Sequence, residues 1–135
     1  MAYLGPLRRW DIFWADLDPV VGREQAGKRR PVLIVSSDEL SNSTQRLVMA
    51  IPLSSLEGKT REFLSYEISL PTGLIDPGKT PVALTQQIRS LSTLRLYRYA
   101  GRLEAPRARK QIEEALLTHL GIAFYRGPSS DVVLR

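Results

Sequence analysis

The sequence predicts a small, mainly antiparallel β domain, a barrel closed by a C-terminal α-helix. Three observations carry that expectation. Short apolar or alternating runs recur as far as Leu103, separated by turn-forming stretches. One segment alone, "APRARKQIEEALLTHLGI", is convincingly helical in its spacing of apolar residues. The chain of 135 residues, 43% of them hydrophobic, is long enough for one core.

"RRWDIFWADL", Arg8 to Leu17, is rich in aromatic and β-favouring residues and is closed by Asp18-Pro19, so it reads as the first strand. A loop from Val20 to Arg30 follows, loosened by Gly22 and Gly27. "PVLIVSS" is a continuous apolar run, the mark of a strand covered on both faces, and Pro31, which has no N–H, belongs at its first position. "DELSNST" is polar and turn-like, with room for one helical turn, and "RLVMAIPLSS" supplies a third strand ending at Pro52. "SSLEGKTR" is a polar loop, "EFLSYEISL" alternates as an exposed edge strand, and "PTGLIDPGKTP" is too rich in proline and glycine to be regular. "VALTQQIRSL" reads as one further strand with a polar end, and "YAGRL" as a short paired one. In the helix, Pro106 suits the first position, Ile112, Leu116 and Leu120 form an apolar stripe, and Gly121 suits a left-handed stop. With no repeat or linker before the tail, residues 1–122 read as a single domain and residues 123–135 as a tail of no assigned order.

The 19 Lys and Arg outweigh the 14 Asp and Glu, for a net charge of +5, which favours a polyanion or an acidic protein segment as partner. Without cysteine the chain has no disulfide, no thiol nucleophile and no thiolate metal site, and its one histidine, His119, argues against a zinc centre. No metal and no cofactor are expected. The opening "MAYLGPLRRWD" lacks the apolar run of a signal peptide, and no stretch approaches the roughly 20 apolar residues that cross a bilayer. A cytoplasmic protein with no membrane contact is the expectation.

The order "WDIFWADLDPVVGREQAGKRRPVLIVSS", "IPLSS", "LTQQIRSL" and "GRL" before a helix ending "LGI" resembles the MazF/PemK family of bacterial toxin endoribonucleases, over about residues 9 to 122. The resemblance implies an SH3-like small β-barrel of the CcdB/MazF/PemK type. It also implies a homodimer that cuts single-stranded RNA without a metal and is silenced by the tail of a cognate acidic, MazE-like antitoxin. The chain departs from the family pattern at four places. Trp10 stands where glycine is usual, one extra cation precedes Pro31, the Asp-Gln pair appears as Gln86-Gln87, and Ser54 replaces a threonine.

RNA brings its own nucleophile, the 2′-hydroxyl. A protein that cuts it must orient that group, take its proton, stabilise the phosphorane and protonate the departing 5′-oxygen. Arginine suits the phosphorane because its planar fork holds two phosphate oxygens and stays charged, which also makes it a poor proton acceptor. Arg30, immediately before Pro31, is therefore assigned to transition-state stabilisation, with Ser54 donating a hydrogen bond to the same phosphate. Glu24, the one carboxylate in the opening loop, is the candidate general base or, failing that, the group that orients Arg30. Pro31 biases Arg30 toward an extended conformation, so Arg30 shares a face with Val32 and Ile34 while Arg29 shares the other with Pro31 and Leu33. RNA contacts are expected from Gln25, Lys28, Arg29, Lys59, Arg61, Gln87 and Arg89.

Plainer readings compete with these. Glu24 and Arg30 also fit an exposed ion pair worth less than about 1 kcal/mol, Ser54 a turn residue, and Trp10 and Trp14 core aromatics instead of base-stacking platforms. A gyrase-poisoning toxin of the CcdB type shares the barrel, but the resemblance would then imply a chain end of Trp-Gly-Ile, and this chain ends "VVLR". A non-catalytic RNA-binding barrel is the third alternative.

Overall fold

Apolar side chains, many of them β-branched or aromatic, set the strands, and prolines enter them only where a missing N–H can be tolerated. The computed structural model describes residues 2–25, 27, 29–55 and 67–123. The strands are β1 (Asp11–Ala15), β2 (Arg30–Ile34), β3 (Leu47–Ser55), β4 (Glu67–Ser69), β5 (Pro81–Leu84), β6 (Arg89–Ser92) and β7 (Leu96–Arg102). The helices are the single turn α1 (Asp38–Ser41) and the C-terminal α2 (Pro106–His119). The strands form one antiparallel ladder in the order β4-β5-β3-β2-β1-β7, with β6 also on β3. The architecture is mainly β with a C-terminal helix, as expected, but among the described residues the ladder does not close into a full barrel.

β3 organises this ladder. One edge pairs with β2, while the other pairs first with β6, up to Ala50 opposite Arg89, and then with β5, from Leu53 opposite Ala83. Pro52, expected to end the strand, instead lies inside it, in the gap between those two partners. The Val35 N–H bonds the Met49 carbonyl at 2.9 Å, so by alternation the Pro52 nitrogen faces the gap and its missing donor breaks no rung to β2. The single strand expected over "VALTQQIRSL" is likewise two, β5 and β6, separated by a 3₁₀ turn at Thr85–Gln87. The edge strand expected over "EFLSYEISL" is described only from Glu67 on, as β4.

Alternation along the strands feeds two cores. Ile12, Leu33, Ile51, Leu53 and Ala83 turn to one face, where Ala108 and Ile112 of α2 cover them and Leu116 packs alongside. Phe13, Ala15, Val32, Ile34, Val48 and Ala50 turn to the other, joined by Leu7, Leu17, Leu91 and Leu96. The helix starts at Pro106 and is followed by Gly121 at φ +70°, as its sequence predicts. Ala108 and Ile112 are its buried positions and Leu116 is half-buried against the same core, whereas Leu120, expected in that stripe, is 70% exposed.

Two features lock the seam where β1 meets β7 and α2. Trp10 takes φ +78°, a left-handed conformation, yet its side chain is buried in the helix-covered core and its ring is flanked by the guanidinium groups of Arg9 and Arg109 at 4.5 and 5.4 Å. The backbone conformation explains why glycine suits this position and shows what tryptophan adds. Next to it, the buried Asp11 carboxylate accepts from Arg102 Nη1 at 3.0 Å, while Arg102 Nε donates to Glu104 at 2.7 Å. Burial works against the Arg102 charge, but the hydrogen bonds and attraction of Asp11 and Glu104 outweigh it and raise its pKa above the ordinary arginine value.

Candidate active site

The loop between β1 and β2 is tied down at several points. Asp16 accepts from the Asp18 N–H at 3.0 Å, and Arg95 Nη1 reaches the carbonyls of Asp16 and Asp18 at 3.0 and 2.8 Å. On the return leg the Gly27 N–H donates to Asp18 at 2.9 Å and its carbonyl accepts from the Leu17 N–H at 2.8 Å. Gly27 holds φ +130°, and a Cβ there would lie 2.7 Å from Cγ and Nε of Arg30. A glycine is therefore required for the Arg30 side chain to pass over the loop backbone.

Arg30 enters β2 opposite Ala15, on the face of Val32 and Ile34, as its sequence predicts. The β2–β3 register pairs Val32 with Pro52, and carried two residues outward it sets Arg30 facing Ser54. Arg30 and Ser54 line one open cavity of about 150 Å³ together with Trp14, Arg29, Pro31, Leu53, Ser55, Ile75, Asp76, Lys79 and Pro81. Arg29 reaches it from the other strand face, its guanidinium 5.2 Å from the centre of the Trp14 ring, with Arg98 on the same ring at 5.8 Å. Trp14 thus lines the cavity mouth and leaves the core to its neighbours Phe13 and Ala15.

Glu24 does not share this cavity. It lines a second groove of about 410 Å³ with Arg23, Gln25, Pro52, Gln86, Gln87, Ile88 and Arg89. Its carboxylate accepts the Val21 N–H at 2.6 Å, and among the ion pairs of the described residues none joins it to Arg30. In the same groove the Gln87 side-chain carbonyl accepts the Gln25 N–H at 2.6 Å, which fastens the loop to the turn between β5 and β6. The expected RNA contacts Gln25, Gln87 and Arg89 are therefore gathered in one groove, and Arg29 in the other cavity. Lys28, Lys59 and Arg61 lie outside the described residues. His119 is apart from both, its Nε2 at 2.9 Å from the Thr85 hydroxyl.

Two chemically capable residues of the Arg30 cavity escaped sequence reasoning, Asp76 and Lys79. They sit in a stretch read only as irregular, and no spacing links them to Arg30. Among the described residues no three His, Asp or Glu side chains come together in a way that could hold a metal ion, and no helix is long and apolar enough to cross a membrane.

Comparison with known proteins matches this arrangement to one group. The family model described as PemK-like, MazF-like toxin of type II toxin-antitoxin system matches residues 8–120. Endoribonuclease MazF9 of Mycobacterium tuberculosis is 36% identical over 120 residues, covering 86% of this chain and 98% of that protein. Among solved structures, MazF from Deinococcus radiodurans superposes with a TM-score of 0.70 at 26% identity, over 87% of this chain and 99% of that one. A MazE–MazF structure from the same organism gives 0.64 at 26% identity, over 87% and 97%. The fold, the order of its motifs and the extent of these matches agree: this chain belongs to the PemK-like, MazF-like toxins of type II toxin–antitoxin systems.

Proposed function

We propose that the chain is an endoribonuclease that cuts single-stranded RNA by attack of the substrate's own 2′-hydroxyl, leaving a 2′,3′-cyclic phosphate and a 5′-hydroxyl. The observation that carries this reading is that Arg30 and Ser54, which face each other when the β2–β3 register is carried two residues past Val32 and Pro52, line the same open cavity. A phosphate held there meets a guanidinium fork and a hydroxyl donor, the two kinds of group that stabilise charge accumulating in the phosphorane. Arg29 adds a further positive charge, and Trp14 offers a ring for the neighbouring base. The substrate supplies the nucleophile, so no metal or cofactor need enter the chemistry.

The second groove suits base contact, because the side-chain amides of Gln25, Gln86 and Gln87 and the fork of Arg89 present donors and acceptors to a base edge. Glu24 serves there by ordering the loop that delivers Arg30. A basic cavity of this kind is silenced by an acidic antitoxin segment that orders as it binds over the groove. The endoribonuclease name of the M. tuberculosis relative and the MazE–MazF complex support this reading. In the same proposal the toxin acts as a homodimer in the cytoplasm. Purified protein incubated with a long unstructured RNA in excess chelator should cut it and leave 5′-hydroxyl ends. Products bearing a 5′-phosphate, or activity that vanishes with chelator and returns with Mg²⁺, would overturn the mechanism.

A further inference from the structure

On the endoribonuclease reading, and resting on it, the cavity of Arg30 and Ser54 must also move two protons, and neither residue is suited to that. A guanidinium stays charged, and a serine hydroxyl accepts no proton without a base beside it. Glu24 is in the other groove with its carboxylate on the Val21 N–H. Among the described residues lining the Arg30 cavity there is one carboxylate, Asp76, and one primary amine, Lys79. We propose that Asp76 accepts the 2′-hydroxyl proton and that Lys79 protonates the departing 5′-oxygen.

The loop from Pro71 to Thr80 fixes the backbone that carries these two groups. Its base is zipped by the Leu70 N–H to the Pro81 carbonyl at 2.9 Å, by the Thr72 and Thr80 hydroxyls at 2.6 Å, and by the Gly73 N–H to the Lys79 carbonyl at 2.9 Å. Its tip is closed by the Lys79 N–H on the Asp76 carbonyl at 3.2 Å, which brings both residues into one turn. Leu74 and Ile75 pack on the helix-covered core, so the residue before Asp76 is anchored and itself lines the cavity. Asp76 is half-buried, and among the described residues neither its carboxylate nor the Lys79 ammonium is engaged by a hydrogen bond or ion pair. Both are open to a substrate, on a support that does not need to move.

The step balances within the cavity. The O2′–P bond forms as the 2′ proton passes to the Asp76 carboxylate, the P–O5′ bond breaks, and the 5′-oxygen takes a proton from the Lys79 ammonium. Exchange with solvent then returns a carboxylate and an ammonium. Arg30 and Ser54 hold the phosphate throughout, so the four side chains divide the work between charge stabilisation and proton transfer.

Single-turnover cleavage of a saturating RNA, with its cut site first mapped for the wild type, tests this. Asp76→Asn should slow cleavage roughly 10²-fold or more, within the range of a lost general base, with RNA affinity unchanged and with part of the rate recovered in Asp76→Glu. Lys79→Met should be slow on ordinary RNA but close to wild type on RNA carrying sulfur in place of the scissile 5′-oxygen, because a thiolate leaves without a proton. Asp76→Asn should remain slow on that substrate. If Asp76→Asn cuts within about threefold of wild type, or Glu24→Gln shows the larger loss, Asp76 is not the acceptor. If Lys79→Met is equally slow on both substrates, Lys79 only binds phosphate and the acid assignment fails. A wild type that cuts no RNA would instead remove the endoribonuclease reading beneath the proposal, an outcome read from the same gel.

Discussion

Arg29 and Arg30 are adjacent in sequence yet stand in different surroundings, one stacked on Trp14 and one facing Ser54. Arg30→Ala should therefore cut the single-turnover rate by roughly 10² or more, the scale of a lost transition-state donor. Arg29→Ala should chiefly weaken RNA binding. If Arg29→Ala is the slow variant, the register of β2 against β3 is not what aims the phosphate. Gly27 supplies a control that touches neither charge. Gly27→Ala puts a methyl group into the path of the Arg30 side chain and strains a backbone at φ +130°, so cleavage should fall while circular dichroism stays that of the wild type. Ser54 was singled out through the family resemblance, whereas the opposite faces of Arg29 and Arg30 were legible in the sequence, because the Arg-Pro junction fixes the local chain direction. Asp76 and Lys79 were not, since only the fold of the loop 71–80 carries them to Arg30, and the separation of Glu24 from Arg30 likewise depends on how the first loop is tied to Asp18, Arg95 and Gln87.

Among the elements, the seam of β1, β7 and α2 shows opposing effects that magnitudes can rank. Removing a buried tryptophan costs about 3–5 kcal/mol, whereas relieving a left-handed residue returns only about 1–2 kcal/mol. Trp10→Gly should thus lower the melting temperature, but Trp10→Ala, which loses the ring and keeps the strain, should lower it further. A reversed order in thermal denaturation would mean that the strain at φ +78° is negligible. Arg102→Met strands the buried Asp11 carboxylate and should destabilise by about 3–5 kcal/mol in denaturant titration, with Asp11→Asn in the same chain recovering part of the loss. Sequence reading placed the strands and the helix well where period and punctuation coincide, as at Pro106 and Gly121. It failed at Pro52 and across "VALTQQIRSL" because both depend on β3 changing its neighbour partway along, and a change of neighbour leaves no local signal.

The molecule as a whole carries a net charge of +5, and the described cations of the Arg30 cavity are Arg29, Arg30 and Lys79. If Arg29 and Arg30 each meet one phosphate of a single strand, log affinity for RNA should fall with log salt at a slope of about −1.4, and Arg29→Ala should reduce the magnitude of that slope by about 0.7. A filter-binding series across salt concentrations measures both. The chain's connectivity adds a constraint of a different kind. β1 finds its second ladder partner in β7, and the core above it is covered by α2, so segments far apart in sequence must meet before β1 is fully paired and covered. Contacts that distant in sequence form late and slowly. A product terminated before β7 and α2 would leave that edge of β1 unpaired and the helix-covered core open to water, and should fail to cut RNA in the assay used for the full chain.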